Sequence, residues 1–210
     1  MITGSVVVTA LLCAAAASAE EHSRLFGVLP NYATVDAPPS GAGTNIVPPI
    51  TKKQLFHLAD MSSYDPAVFP FVALKTSLGA GGSDAAFGNR YATALADNAI
   101  ANFMKIAVLP SLTNQDSRYY RSGEGGVFRR IVYAARTSVI TRTRDGGTAF
   151  NISAVGGNLA AAGISNLYYA REDRTVSGTM SRWGSQMMWG VVSRELKEFW
   201  PDIRAKLHKD

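Results

Sequence analysis

The densest chemistry in the chain lies between Asp116 and Arg144. There Arg118, Arg121, Arg129, Arg130, Arg136, Arg142 and Arg144 stand against only two carboxylates, Asp116 and Glu124, with Tyr119 and Tyr120 among them. Guanidinium groups make planar bidentate contacts to phosphate and carboxylate, and phenol rings suit the headgroup layer of a bilayer. Arg118, Tyr119, Tyr120, Arg121, Arg129, Arg130 and Arg136 are therefore the candidate binding residues, with an anionic lipid or membrane surface as their partner. The structural alternative is that Asp116 pairs with Arg118 or Arg121 and fixes a surface loop.

Candidates for catalysis are few. Glu124 lies in Gly123-Glu124-Gly125-Gly126, a setting that could raise its pKa for general-acid work on a cell-wall glycan, with Asp116 as companion. His22, His57 and His208 are too dispersed to form a zinc motif. Neither a nucleophile elbow, a phosphate-binding loop nor a dinucleotide fingerprint occurs, so the sequence implies no metal and no cofactor.

The elements that must position these groups follow from composition and periodicity. The chain has 210 residues, 47% apolar and 18% charged, with a net charge of +5. That allows one domain with a sizeable core, and a mean hydropathy of +0.02 argues against a multi-span membrane protein. Arginine outnumbers lysine two to one. Residues 1–19 read as a cleavable secretion signal, with an apolar run from Val6 and small residues at Ala17-Ser18-Ala19; an uncleaved anchor is the competing reading. Cleavage would remove Cys13 and place the protein, without any thiol, in the periplasm or at the envelope membrane. Export puts phospholipid headgroups and acidic envelope polymers ahead of nucleic acid, which is not expected as a partner.

Residues 20–50 are rich in Pro and Gly and read as an extended arm whose apolar start can dock and whose middle is a linker. A helical domain is expected over 51–210. Thr51 and Gln54 have capping-box spacing ahead of Leu55, Leu58 and Ala59. Pro70 is expected to interrupt the next element and Gly79–Gly82 to end it. Asp84 opens a helix with Ile100, Phe103, Met104, Ala107 and Val108 on one face, Asp97, Asn98, Asn102 and Lys105 on the other, and Pro110 at its end. Residues 114–126 read as a loop. Phe128, Ile131, Val132, Ala135 and Val139 give another helical stripe, with a short strand over Thr137–Thr143 as the rival.

Residues 148–170 carry no charge and read as one helix, either buried at the centre of the bundle or inserted in a membrane. Gly156, Gly157, Ala160, Ala161 and Gly163 would let it pack closely on its neighbours. A last helix spans about 177–199, and Pro201 is expected to separate a short tail. The fold class is thus all-α: a compact Ala/Gly-rich bundle of five or six helices behind an extended Pro/Gly-rich N-terminal arm.

Several stretches together resemble a family of uncharacterised exported bacterial proteins: Arg24-Leu25-Phe26-Gly27-Val28-Leu29-Pro30-Asn31-Tyr32, Leu109-Pro110-Ser111-Leu112 into Gln115-Asp116-Ser117-Arg118-Tyr119-Tyr120, Phe150-Asn151-Ile152-Ser153, and Glu198-Phe199-Trp200-Pro201-Asp202. Members tend to carry Pro where this chain has Ser117. The resemblance implies export and a shared fold and supplies no catalytic residue. Three functions are open at this level. The first is a non-enzymatic, membrane-associated envelope protein acting through its basic Arg/Tyr surface and small-residue helices. The second is a periplasmic glycan-acting enzyme using Glu124. The third is a soluble scaffold that binds a protein partner, or itself, through Trp183, Trp189 and nearby methionines.

Overall fold

A computed structural model describes residues 24–25, 29–37, 47–78 and 84–207. The expected leader at 1–19, the linker stretch 38–46, the Gly79–Gly82 turn, His22 and His208 lie outside them. Among the described residues the protein is an all-α bundle with three two-stranded β pairs at its margins.

In the arm, β1 (Arg24–Leu25) pairs antiparallel with β2 (Leu29–Pro30), and β3 (Thr34–Asp36) is poised to pair further along the chain. Arg24 and Tyr32 both donate to the carboxylate of Asp65, at 2.8 and 2.6 Å, which ties the arm to the bundle. α1 (Lys52–Tyr64) begins at the expected capping box: Gln54 N–H donates to Thr51 Oγ1 and Thr51 N–H donates to Gln54 Oε1. α2 (Val68–Leu78) is not interrupted by Pro70, which sits in its first turn, where no N–H is needed.

α3 (Asp84–Asn102) runs without a break through a π turn, Phe103–Val108, into α4 (Leu109–Thr113). The sequence placed the helix end at Pro110. Instead the Leu109 N–H reaches back to the Met104 carbonyl, and this wider ring carries the chain past a residue that has no N–H to give. The helix ends at Asn114, in the left-handed conformation with φ 56°.

The stretch read as a loop contains β4 (Tyr119–Arg121), which pairs in parallel with β3 of the arm. α5 (Val127–Arg136) follows. β5 (Ile140–Arg142) and β6 (Thr148–Phe150) form a hairpin, so the β-branched rival reading holds for part of 137–143. The uncharged segment 148–170 is therefore not one helix. It opens as a strand, and α6 (Ile152–Ser165) starts where the Asn151 side chain accepts the Ala154 N–H at 2.8 Å. No helix among the described residues is long and apolar enough to cross a membrane.

A 3₁₀ turn, Arg171–Asp173, leads into α7 (Val176–Leu207). Pro201 lies inside α7 rather than ending it. An interior proline costs about 3 kcal/mol, and the helix is held through it by buried Glu198 and Trp200 and by Asp202, which is bonded to Arg130.

The contiguous apolar core is small: Ile50, Leu55, Leu58 and Ala59 meet Ile106 and Ala107 of the π turn. On the other side of that turn α6 passes at backbone contact. A Cβ on Gly157 would lie 2.8 Å from Lys105 Cα, so only glycine fits there. Gly156 similarly approaches the Leu109 side chain, and Ala161 is buried. Ala160 is half-buried. Gly163 does not pack: it is exposed, with nothing within 4 Å of where a Cβ would stand.

Candidate functional site

The polar face of α3 and the π turn that follows it border a broad, partly open hollow. Asp97, Asn98, Asn102 and Lys105 line a cavity of about 1390 Å³, walled also by α2, β4, α5, the β5–β6 hairpin, α6, residues 168–173 and α7. Its apolar lining includes Phe71, Val72, Ile106, Trp189 and Leu196. Its charge is lopsided. Nine basic side chains border it (Lys75, Arg90, Lys105, Arg118, Arg136, Arg142, Arg182, Arg194 and Lys197) against two acidic ones, Asp97 and Asp173. That excess is larger than the net +5 of the whole chain.

Several of these cations are neutralised or bonded locally. Arg118 forks onto Asp116, with Nε and Nη2 at 3.0 and 2.6 Å from its two oxygens. Arg142 lies over the Tyr120 ring at 4.4 Å and Arg182 over Tyr169 at 4.2 Å. Asp97 accepts both phenols of Tyr168 and Tyr169, at 2.6 and 2.7 Å. It also faces Lys75, which stands over the Trp189 ring.

Among the described residues Arg194, Lys105 and Lys197 have neither a carboxylate partner nor an aromatic ring over which they stand. Arg194 donates only to neutral oxygens, Gly190 O at 3.1 Å and Ser138 Oγ at 3.4 Å. The amino groups of Lys105 and Lys197 have no hydrogen-bond acceptor among the described residues. Burial, and then repulsion from Arg194, Lys197 and Lys75, pushes Lys105 down to about 8. Burial and Arg194 do the same to Lys197, also to about 8, and burial lowers Arg194 to about 10. Like charges gathered at a partly buried site repel one another, so this arrangement costs the protein stability. Thr76 Oγ1, Asn98 Nδ2, Asn158 Oδ1 and Gln186 Oε1, on residues of the same lining, also lack hydrogen-bond partners among the described residues. Unmet polar groups at this density are uncommon in native interiors and mark a place where a ligand can supply the missing bonds.

The basic side chains singled out in the sequence do not form one surface. Tyr119 and Tyr120 are buried. The Tyr119 hydroxyl donates to Glu198 at 2.6 Å, and Tyr120 donates to Asp116 at 2.8 Å. Arg121 pairs with Asp36 of the arm. Arg130 is buried between Glu198 and Asp202. Only Arg129 and Arg136 of the set are exposed, and Arg136 borders the cavity. The reason is helical register: α5 turns Arg130 and Ala134 inward and leaves Phe128 at 79% exposure and Val132 at 50%, reversing the expected stripe. The charge of Glu198 outweighs the apolar pattern.

Asp116 and Glu124 are not brought together as a catalytic pair. Asp116 is only 2% exposed and committed to Arg118 and Tyr120, as the structural alternative required, while Glu124 is exposed in the glycine turn. Neither borders the cavity. His57 is exposed on α1. No group of three or more His, Cys, Asp or Glu among the described residues could hold a metal ion. Trp183 donates to the Val155 carbonyl, Trp189 lines the cavity, and Met180 and Met188 are exposed.

The stretches that carried the family resemblance meet one another in the fold. Gln115 accepts the Ser153 N–H at 2.8 Å and donates to Phe150 O, and Tyr119 meets Glu198. These contacts are a framework around the cavity rather than its cationic floor. Lys105 was placed on the polar helix face but not read as a site residue, and Lys197 and Arg194 were passed over, because in the sequence they alternate with Glu195 and Glu198 on a different helix and nothing in the spacing joins them to Lys105. Comparison with known proteins finds no matching family model, no matching curated protein and no matching solved structure. The functional reading rests on the site itself.

Proposed function

We propose that this is an exported binding protein whose interior cavity takes up an organic anion. One observation carries the reading: nine cations against two carboxylates border a space of about 1390 Å³, with two lysine amino groups there that have no acceptor among the described residues. Mixed apolar and cationic walls of this size suit a ligand with a charged end and an apolar body. Export is supported by the character of residues 1–19. The test compares two fluorescent probes of similar ring structure, anionic 1-anilinonaphthalene-8-sulfonate and neutral N-phenyl-1-naphthylamine. The sulfonate should bind about tenfold more tightly or better, and added salt should weaken it. Equal affinity for both probes would remove the proposal.

A second reading, association with an anionic membrane surface, is supported by the outward apolar face of α5. Phe128, Ile131 and Val132 are exposed there beside Arg129 and Arg136. Vesicles of phosphatidylglycerol should sediment the protein more than vesicles of phosphatidylcholine, and Phe128→Asp with Ile131→Asp should abolish the difference. Arg130 is unsuited to this test because it is part of a buried ion pair. Identical sedimentation with the two lipids would exclude this mode of attachment.

A further inference from the structure

We propose that Lys105, Lys197 and Arg194 together seat a phosphate monoester, and that the ligand is a phosphorylated amphiphile whose apolar body lies along the Phe71, Val72, Trp189 and Leu196 wall. This deepens the anion-binding reading and rests on it.

Three partly buried cations from two helical segments border one partly open cavity, and among the described residues no carboxylate bonds any of them. A single carboxylate would offset only one of the three charges. A phosphate monoester has a second pKa near 6, so it is dianionic at neutral pH, and its three terminal oxygens match three donors. Donor geometry agrees. Two ammonium groups adapt as rotatable point charges, and Arg194 is held in place by Gly190 O and Ser138 Oγ. The rigid part of the seat is Lys105, whose backbone is pinned by Gly157 at a separation no side chain could enter. π turns commonly occur at functional sites, and here one carries Lys105 between the apolar core and the cavity.

The body of the ligand is set by the rest of the wall. Phe71 meets Trp189 edge to face at 6.2 Å, and Val72 and Leu196 border the same cavity. Inorganic phosphate alone would satisfy the cations and leave this surface uncovered.

Calorimetry with decyl phosphate, decanoate and inorganic phosphate, all below any micellar concentration, separates the elements of the proposal. Decyl phosphate should bind at least about tenfold more tightly than decanoate, and also more tightly than inorganic phosphate. Lys105→Met with Lys197→Met should remove the preference for phosphate over carboxylate, and Lys197→Arg, which keeps the charge, should retain it. Decanoate binding as well as decyl phosphate would overturn the dianion seat. Inorganic phosphate binding as well as decyl phosphate would overturn the amphiphile. If none of the three binds, both this inference and the anion-binding reading fall.

Discussion

Glu198→Ala should cost about 3–5 kcal/mol of folding stability, the usual consequence of stranding a buried charge. Against a typical total of about 5–15 kcal/mol, that is enough to leave much of the protein unfolded under mild denaturing conditions. Glu198 is 0% exposed and accepts from Tyr119 Oη, Ser122 N, Gly123 N and Arg130 Nε at 2.6, 3.0, 2.9 and 3.0 Å. It thereby joins α7, β4, the glycine turn and α5. Alanine would leave the Arg130 guanidinium inside the protein with only the exposed Asp202 as counter-charge.

The pH dependence follows from the same contacts. Burial works to raise the Glu198 pKa, but the bonds from Tyr119, Gly123, Arg130 and Ser122 prevail and hold it below the usual carboxylate range. A depressed carboxylate stabilises the fold above its unfolded pKa, near 4.3, and that stability is lost as the pH falls through the folded value. Urea melts should show the wild type losing stability on acidification more steeply than Glu198→Gln. A Glu198→Ala midpoint within about 0.5 kcal/mol of wild type, the range of ordinary surface substitutions, would refute this account.

The opposite sign is expected at the cavity. Lys105→Met should stabilise the unliganded protein while weakening anion binding, because the substitution keeps most of the aliphatic stem and removes a repelled charge. The ordinary lysine pKa is near 10.4, and burial with repulsion brings Lys105 and Lys197 to about 8. Between those values the unfolded chain binds more protons than the native one, so wild-type stability contributed by these groups rises as the pH climbs from about 8 toward 10. Below pH 8 the full cost is present.

Arg194, Lys197 and Lys75 act on Lys105, and Arg194 acts on Lys197; on the same cavity Asp97 acts on Lys75 and Tyr119 on Arg194. Burial and the hydrogen bond to Glu198 hold the Tyr119 phenol far above its usual range, so it stays neutral across this window. At pH 7 the methionine variant should gain on the order of 2 kcal/mol, and its stability should depend less on pH between 8 and 10. A protein that gives up stability to hold a binding site in this way follows a common trade-off. Destabilisation by Lys105→Met, with the pH slope unchanged, would show that the amine is satisfied in the native state.

Helix content, the capping box at Thr51 and the close approach at Gly157 were legible in the sequence, since each depends on residues near in the chain or on a local geometric need; pairing of Asp116 was there only as an alternative, with Arg118 and Arg121 both open as its partner. Periodicity failed at α5, where it placed Phe128, Ile131 and Val132 in the core. A buried carboxylate 68 residues away, Glu198, instead turned Arg130 inward. It failed again at Pro110, because a π turn is invisible to a count based on 3.6 residues per turn.

What the sequence by itself determined is the set of rods, their small-residue contacts and the scarcity of acidic partners. Tertiary structure alone decided which arginines are spent on internal ion pairs, and that Lys105, Lys197 and Arg194 border one cavity. The physical reason is that repulsion and desolvation depend on through-space distance and on exclusion of water, neither of which is encoded in the spacing of residues along a chain.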